Sequence, residues 1–202
     1  MGLRPSLAAM TTATLAPHRT ANATVTARVE YRSGNWVVGP ASDRVLATML
    51  FADIVGSTQR AAELGDRRWL AMLGEFDRLV ERDVAHHRGK LINWTGDGML
   101  ATFDTPSRAV HAARAIRASA RTLELEVRAG LHTGECEALG GSLAGIAVNL
   151  TARVMAKAWP GEILASSTVR DLVVGSGLDF DDRGTHDLKG VPGSWHLFAV
   201  RR

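Results

Sequence analysis

From residue 44 onward the chain switches repeatedly between continuous apolar runs and helical periodicity. Val45-Leu46-Ala47-Thr48-Met49-Leu50-Phe51-Ala52 is a continuous apolar run, which predicts a strand buried on both faces. It ends in Asp53-Ile54-Val55-Gly56-Ser57-Thr58. Over about 66–87, Trp69, Leu70, Met72, Leu73, Phe76, Leu79, Val80 and Val84 recur at helical spacing, with acids and arginines between them, so a long amphipathic helix is expected, stopped by Gly89. Two apolar runs, 90–95 and 99–103, flank Gly96-Asp97-Gly98, a strong short-range hairpin signal. Pro106 opens a second helix to about 121, with Val110, Ala113 and Ile116 inward. A strand over 125–132 continues through Cys136 to Leu139 as one arm of a further hairpin. A third helix at 146–158 is closed by Pro160-Gly161. A strand (162–165), a short helix (167–173) and two terminal strands (180–188 and 194–200) complete the pattern.

The predicted order is β-α-β-β-α-β followed by α-β-α-β-β. The class is α+β, with a ferredoxin-like βαββαβ core and a C-terminal extension. Residues 1–42 are rich in Ala, Thr, Arg and Pro and show no sustained period. They read as a flexible leader or linker with at most a short strand near 35–38, and residues 43–202 as one domain.

Composition narrows the field. The 202 residues are 46% hydrophobic and 22% charged, the balance of a soluble globular protein. A formal charge of only +3 gives no basic stripe for nucleic acid. The five tryptophans are scattered and form no stacking ladder. Cys136, the only cysteine, can form neither an internal disulfide nor a thiolate metal cage, which fits a reducing cytoplasm. No run approaches the ~20 apolar residues of a membrane span, and no apolar signal segment is evident.

Two carboxylates stand out by position. Asp53 ends a buried strand and Asp97 sits at a hairpin tip; in a ferredoxin-like sheet those elements are neighbours. Two hard oxygen anions over a sheet end suit Mg2+ or Mn2+, with phosphate oxygens completing the shell. Taken singly, Asp53 also reads as a helix N-cap and Asp97 as an ordinary turn residue. Gly56-Ser57-Thr58 opens a helix after Asp53, and its outward N–H groups suit a triphosphate; alone it reads as a plain cap. His132 in its strand and Cys136 read as structural.

In order and spacing, Phe51-Ala52-Asp53-Ile54-Val55-Gly56-Ser57-Thr58, Thr95-Gly96-Asp97-Gly98, Arg128-Ala129-Gly130-Leu131-His132-Thr133-Gly134 and Val148-Asn149-Leu150-Thr151-Ala152-Arg153 resemble the signatures of the class III adenylate/guanylate cyclase family. Thr168-Val169-Arg170-Asp171-Leu172 and Leu188-Lys189-Gly190-Val191-Pro192-Gly193 are similar to the C-terminal part of actinobacterial members. The resemblance implies the class III cyclase fold and a head-to-tail homodimer with composite active sites. It implies that ATP is converted to 3′,5′-cyclic AMP and pyrophosphate with two ions, Mg2+ or Mn2+, per site. Asp53, Asp97 and the backbone carbonyl of Ile54 would hold the metals. Arg128 would contact phosphate, although it also reads as a solvated strand-end arginine. Asn149 and Arg153 would come from the partner subunit to orient the ribose and bind the α-phosphate; four residues apart, they share one helix face, and alone they read as a surface pair. Lys189 would reach the terminal phosphates, or is simply solvated in its turn.

The base-reading pair departs from the family. Asn93 stands where these adenylate cyclases usually carry Lys, and Ser142 where they usually carry Asp and only sometimes Thr or Ser. Asn93 can donate to adenine N1 and Ser142 can accept from the exocyclic amine, through weaker, uncharged bonds. Lys90 lies three residues before Asn93, so strict alternation turns it to the other face. The expected activity is an adenylate cyclase with loosened ATP-over-GTP selectivity; a weakly active or silent nucleotide-binding module is the alternative. A diguanylate cyclase is disfavoured, because its Gly-Gly-acidic-acidic-Phe hairpin is replaced here by a single Asp between glycines.

Overall fold

A computed structural model describes residues 27–32, 35–40 and 42–201. β1 (Ala27–Arg32) and β2 (Asn35–Pro40) pair antiparallel as a separate two-stranded ribbon. The strand expected near 35–38 thus falls within β2, and the segment expected to be a leader contains a hairpin. Residues 1–26 of that segment lie outside the described residues.

The main sheet begins with β3 (Ser42–Ile54), followed by α1 (Ser57–Leu64), α2 (Asp66–His86), β4 (Lys90–Thr95), β5 (Gly98–Phe103), α3 (Pro106–Thr122) and β6 (Val127–Leu139). These strands lie in the order β4-β5-β3-β6, every neighbour antiparallel. This is the ferredoxin-like arrangement. The chain continues through β7 (Ser142–Ala144), α4 (Ile146–Lys157), β8 (Ile163–Ser166), α5 (Ser167–Leu172), β9 (Phe180–Asp187) and β10 (Ser194–Val200). β8 joins β6 in parallel, β10 and β9 extend the sheet antiparallel, and β7 folds back onto β6.

β3 is central, so its alternate side chains serve two cores. Leu50, Ala52 and Ile54 pack with Phe76 and Val80 of α2 and Ile116 of α3. Met49 and Phe51 point the other way and pack with Leu100, Cys136 and Ala147. Asp53 follows Phe51 on that second face. The two helices on the first face are joined by a buried polar link: Ser119 donates to Asp83 Oδ2 at 2.6 Å, and Arg82 donates to Oδ1. Burying Asp83 is tolerated because both carboxylate oxygens are hydrogen-bonded.

Three local features differ from the pattern reading. The expected long helix is preceded by a separate α1, and Gly65 at φ +74° makes the break, a conformation that favours glycine. β3 starts before its apolar run, at Ser42, and pairs with β6, which reaches Leu139 as expected, from Ser42–Leu139 to Ile54–Val127. The added start of β3, Ser42-Asp43-Arg44, is polar, with Arg44 ion-paired to Glu135 at 2.8 Å, so apolar pattern alone does not mark it. Finally, β4 carries a bulge between Leu91 and Asn93. The extra residue cancels the alternation. Lys90 opposes Thr102 and Asn93 opposes Leu100, two positions on one face of β5, so Lys90 shares a face with Asn93 rather than turning away.

His132 is buried, as its structural reading required: its Nδ1 lies 2.8 Å from Ser166 Oγ and its ring meets Trp195 edge-on. Burial pushes its pKa down to about 4. The folded protein therefore resists a proton that the unfolded chain accepts near pH 6.5. Stability is full above that value and falls as pH drops toward 4, by about 3 kcal/mol across the window. Urea unfolding of His132→Gln should show a smaller loss between about pH 7 and pH 5 than the wild type; equal losses would contradict this role.

Candidate active site

Asp53 pairs across the ladder with Arg128 on β6 and with Gly98 on β5. Its side chain is only 19% exposed. Arg128 donates to Asp53 Oδ2 from Nη2 at 2.8 Å and from Nε at 3.2 Å, a charge-assisted pair that fixes the carboxylate's orientation. Oδ1 is turned to Gly98. A Cβ built there would lie 3.1 Å from Oδ1 and 2.9 Å from both the Ala52 carbonyl and Thr95 Oγ1. The missing side chain of Gly98 therefore makes room for the carboxylate. Asp97, half-buried, occupies the turn immediately before Gly98. One ladder position thus separates the two acid-bearing residues at the same end of the sheet.

The N-cap of α1 is Gly56 in the left-handed region at φ +67°, with no side-chain capping bond, so Asp53 is not a helix cap. Ser57 and Thr58 open α1, whose first-turn N–H groups follow Asp53 directly. The Ile54 side chain is 2% exposed in the core, which leaves its backbone as the part able to ligate. Among the described residues no group of three or more His, Cys, Asp or Glu side chains gathers to hold a metal. By residue type, the carboxylates of Asp53 and Asp97 and the carbonyl of Ile54 are hard oxygen donors of the kind Mg2+ or Mn2+ takes, with water and phosphate completing such a shell.

α4 carries the second group. Gly130 of β6 lies beneath it: a Cβ there would come within 2.2 Å of the Met155 backbone nitrogen, so a glycine inside the strand sets how closely α4 approaches the sheet. Leu150 and Val154 face inward with Leu188, Val191 and Leu197. Asn149 and Arg153 face solvent and make no side-chain hydrogen bond or ion pair among the described residues. Lys189 is exposed, and its neighbours Leu188 and Val191 anchor its turn against α4.

The third group is formed by Asn93 and Ser142, both exposed. Ile92 and Leu143 beside them belong to one apolar cluster, which brings β7 against β4. The structure thus places Asp53, Asp97, Arg128 and Gly56 to Thr58 at one sheet end and Asn93 on the same sheet face farther along β4, while Asn149, Arg153, Lys189 and Ser142 are exposed elsewhere. Sequence reasoning gave Arg128 only a phosphate or solvent to contact, and missed both its grip on Asp53 and the spacing role of Gly98. The ladder register carries both, and only the Asp-Gly pair hinted at the second.

Elsewhere the pattern reading of Cys136 holds: its thiol is buried, and burial with nearby Glu137 pushes its pKa up. Among the described residues no helix is long and apolar enough to cross a membrane.

Residues 40–201 match the sequence profile of the adenylate and guanylate cyclase catalytic domain. An uncharacterized Mycobacterium tuberculosis protein is 37% identical over 139 residues, which are 68% of this chain and 37% of that relative; the chain spans well under half the length of such relatives. The crystal structure of the adenylyl cyclase CyaB from P. aeruginosa superposes with a TM-score of 0.75 at 23% identity, covering 80% of this chain and 96% of that one. That of the guanylyl cyclase Cya2 gives 0.73 at 25% identity, over 79% and 93%. With its profile match over residues 40–201 and its ferredoxin-like core, the chain belongs to the adenylate and guanylate cyclase catalytic domain family.

Proposed function

We propose that this nucleotide cyclase domain converts ATP to 3′,5′-cyclic AMP and pyrophosphate at sites shared between two copies of the chain. Cyclase domains of this family are lyases that generally act as dimers on a nucleotide, with divalent metal. The observation that carries the reading is the Asp53 carboxylate, clamped by Arg128 and seated against Gly98 one residue from Asp97.

Asp53, Asp97 and the Ile54 carbonyl would hold Mg2+ or Mn2+, two ions per site. Ions held there would supply acidification of the ribose 3′-hydroxyl and an offset to phosphate charge. The 3′-oxygen attacks the α-phosphorus, the bond to the bridging oxygen of the β-phosphate breaks, and pyrophosphate departs. Arg128 keeps Asp53 aimed and, being partly exposed, adds a donor on the phosphate side. The first-turn N–H groups of Gly56, Ser57 and Thr58 receive phosphate oxygens. Asn149 of the partner subunit positions the ribose, and the partner subunit's Arg153 stabilises charge building on the α-phosphate. Both side chains are exposed and unpaired among the described residues, as donors awaiting a neighbour would be. Lys189 serves the terminal phosphates.

Asn93 and Ser142 favour ATP: the amide donates to N1 and the hydroxyl accepts from the exocyclic amine. Neither offers the carboxylate that would select guanine. Because both are uncharged, a second reading is also supported, in which GTP is accepted too or turnover is low.

Purified protein incubated with ATP or GTP and Mn2+ or Mg2+ should yield cyclic AMP in excess of cyclic GMP, and Asp97→Ala should abolish both. No product above that control would leave only a nucleotide-binding module. A mixture of Asp53→Ala and Arg153→Ala proteins, each inactive alone, should regain part of the activity; mixed dimers without activity would refute shared sites. Gly98→Ala should lower turnover on the order of 100-fold by displacing Asp53 while the protein stays folded by circular dichroism. Unchanged turnover would mean that the close seat of Asp53 is not needed.

A further inference from the structure

We infer that Lys90 reads the nucleotide, its ammonium donating to the purine edge beside Asn93. This rests on the cyclase reading above and adds a substrate contact to it.

The bulge in β4 is the basis. Lys90 and Asn93 oppose Thr102 and Leu100, successive same-face positions of β5, so their Cα atoms lie two strand rises, about 7 Å, apart along one face. Leu100 and Ile92 belong to the apolar cluster on the side of the sheet where α4 and β7 lie, the face that also carries Asp53. The four-carbon stem of lysine can cover such a spacing and bring its ammonium over Asn93. Lys90 is exposed and has no hydrogen bond or ion pair among the described residues. Its cross-strand partner is Thr102 and that of Asn93 is Leu100, neither of which neutralises a cation. Lys90 and Asn93 therefore present a charged donor and an amide side by side on one face of β4.

That set matches a purine. The ring nitrogens of adenine are acceptors, as are O6 and N7 of guanine. An ammonium strengthens the hold on either base without separating them, and selectivity is left to Asn93 and Ser142. The positive charge that Asn93 lacks is thus restored from one same-face position away. Lysine on an edge strand has another use, as protection against strand-to-strand association, and the test must tell the two apart.

Binding of 3′-deoxy-ATP, which lacks the attacking hydroxyl, is measured by titration calorimetry with Mn2+ for wild type, Lys90→Met and Lys90→Arg, with pyrophosphate as a second probe. Lys90→Met should weaken 3′-deoxy-ATP about tenfold, the loss of one charge-assisted hydrogen bond, and leave pyrophosphate unchanged; Lys90→Arg should bind within about threefold of wild type. In turnover, Lys90→Met should raise KM for ATP with kcat nearly constant. Unchanged 3′-deoxy-ATP binding would overturn the inference and leave the edge-strand role. Equal weakening of both probes would also overturn it, assigning Lys90 to phosphate. A wild type that makes no cyclic nucleotide but shows the Lys90→Met binding loss would refute the cyclase reading while leaving the base contact standing.

Discussion

The structure depends on one constraint: an acid must be held at the end of a buried strand without being neutralised or pushed aside. Asp53 lies on β3, between β5 and β6. A carboxylate in that position is costly to bury unless it is hydrogen-bonded or paired. Arg128 meets this need on one side, while Gly98 leaves the other side open. Cross-strand register supplies both partners, and the register in turn follows from which residues of β3 face each core. A slip of one position would send Asp53 into the layer of Phe76 and Ile116.

Much of this was legible in the chain. The hairpin at β4 and β5, the strand at β10 and the starts of α2, α3 and α4 follow from Asp-Gly punctuation, Pro106 and helical spacing of apolar residues, because these elements are specified by local chemistry. The adjacency of Asp53 and Asp97 was legible too, since the ferredoxin-like order forces the first strand beside the second arm of the hairpin. Features that depend on backbone pairing alone were not. The polar start of β3 has no apolar signature. The ribbon of β1 and β2 lies in a segment whose composition suggested at most one short strand near 35–38. The β4 bulge could not be read from Leu91-Ile92-Asn93, where each residue suits a regular strand; it shows only in the pairing with β5.

The same division runs through the site. Residue types indicate which groups can bind metal or phosphate, but register decides what they touch. Arg128 was visible as a cation at a strand end, and the ladder makes it the partner of Asp53. Gly130 was visible as part of a motif, and its contact with Met155 shows it as the seat of α4. The outward face of that helix, with Asn149 and Arg153 free of partners among the described residues, is the complement of its inward packing through Leu150 and Val154. One helix thus holds the protomer together on one side and presents donors on the other.

The central claim is that the acids at 53 and 97 jointly bind divalent cations. Electron paramagnetic resonance can count Mn2+ bound to the protein in the presence of 3′-deoxy-ATP, in wild type and in Asp53→Asn and Asp97→Asn. The account predicts two ions per site in wild type and loss of that binding with either substitution. Retention of both ions after removal of either charge would contradict it.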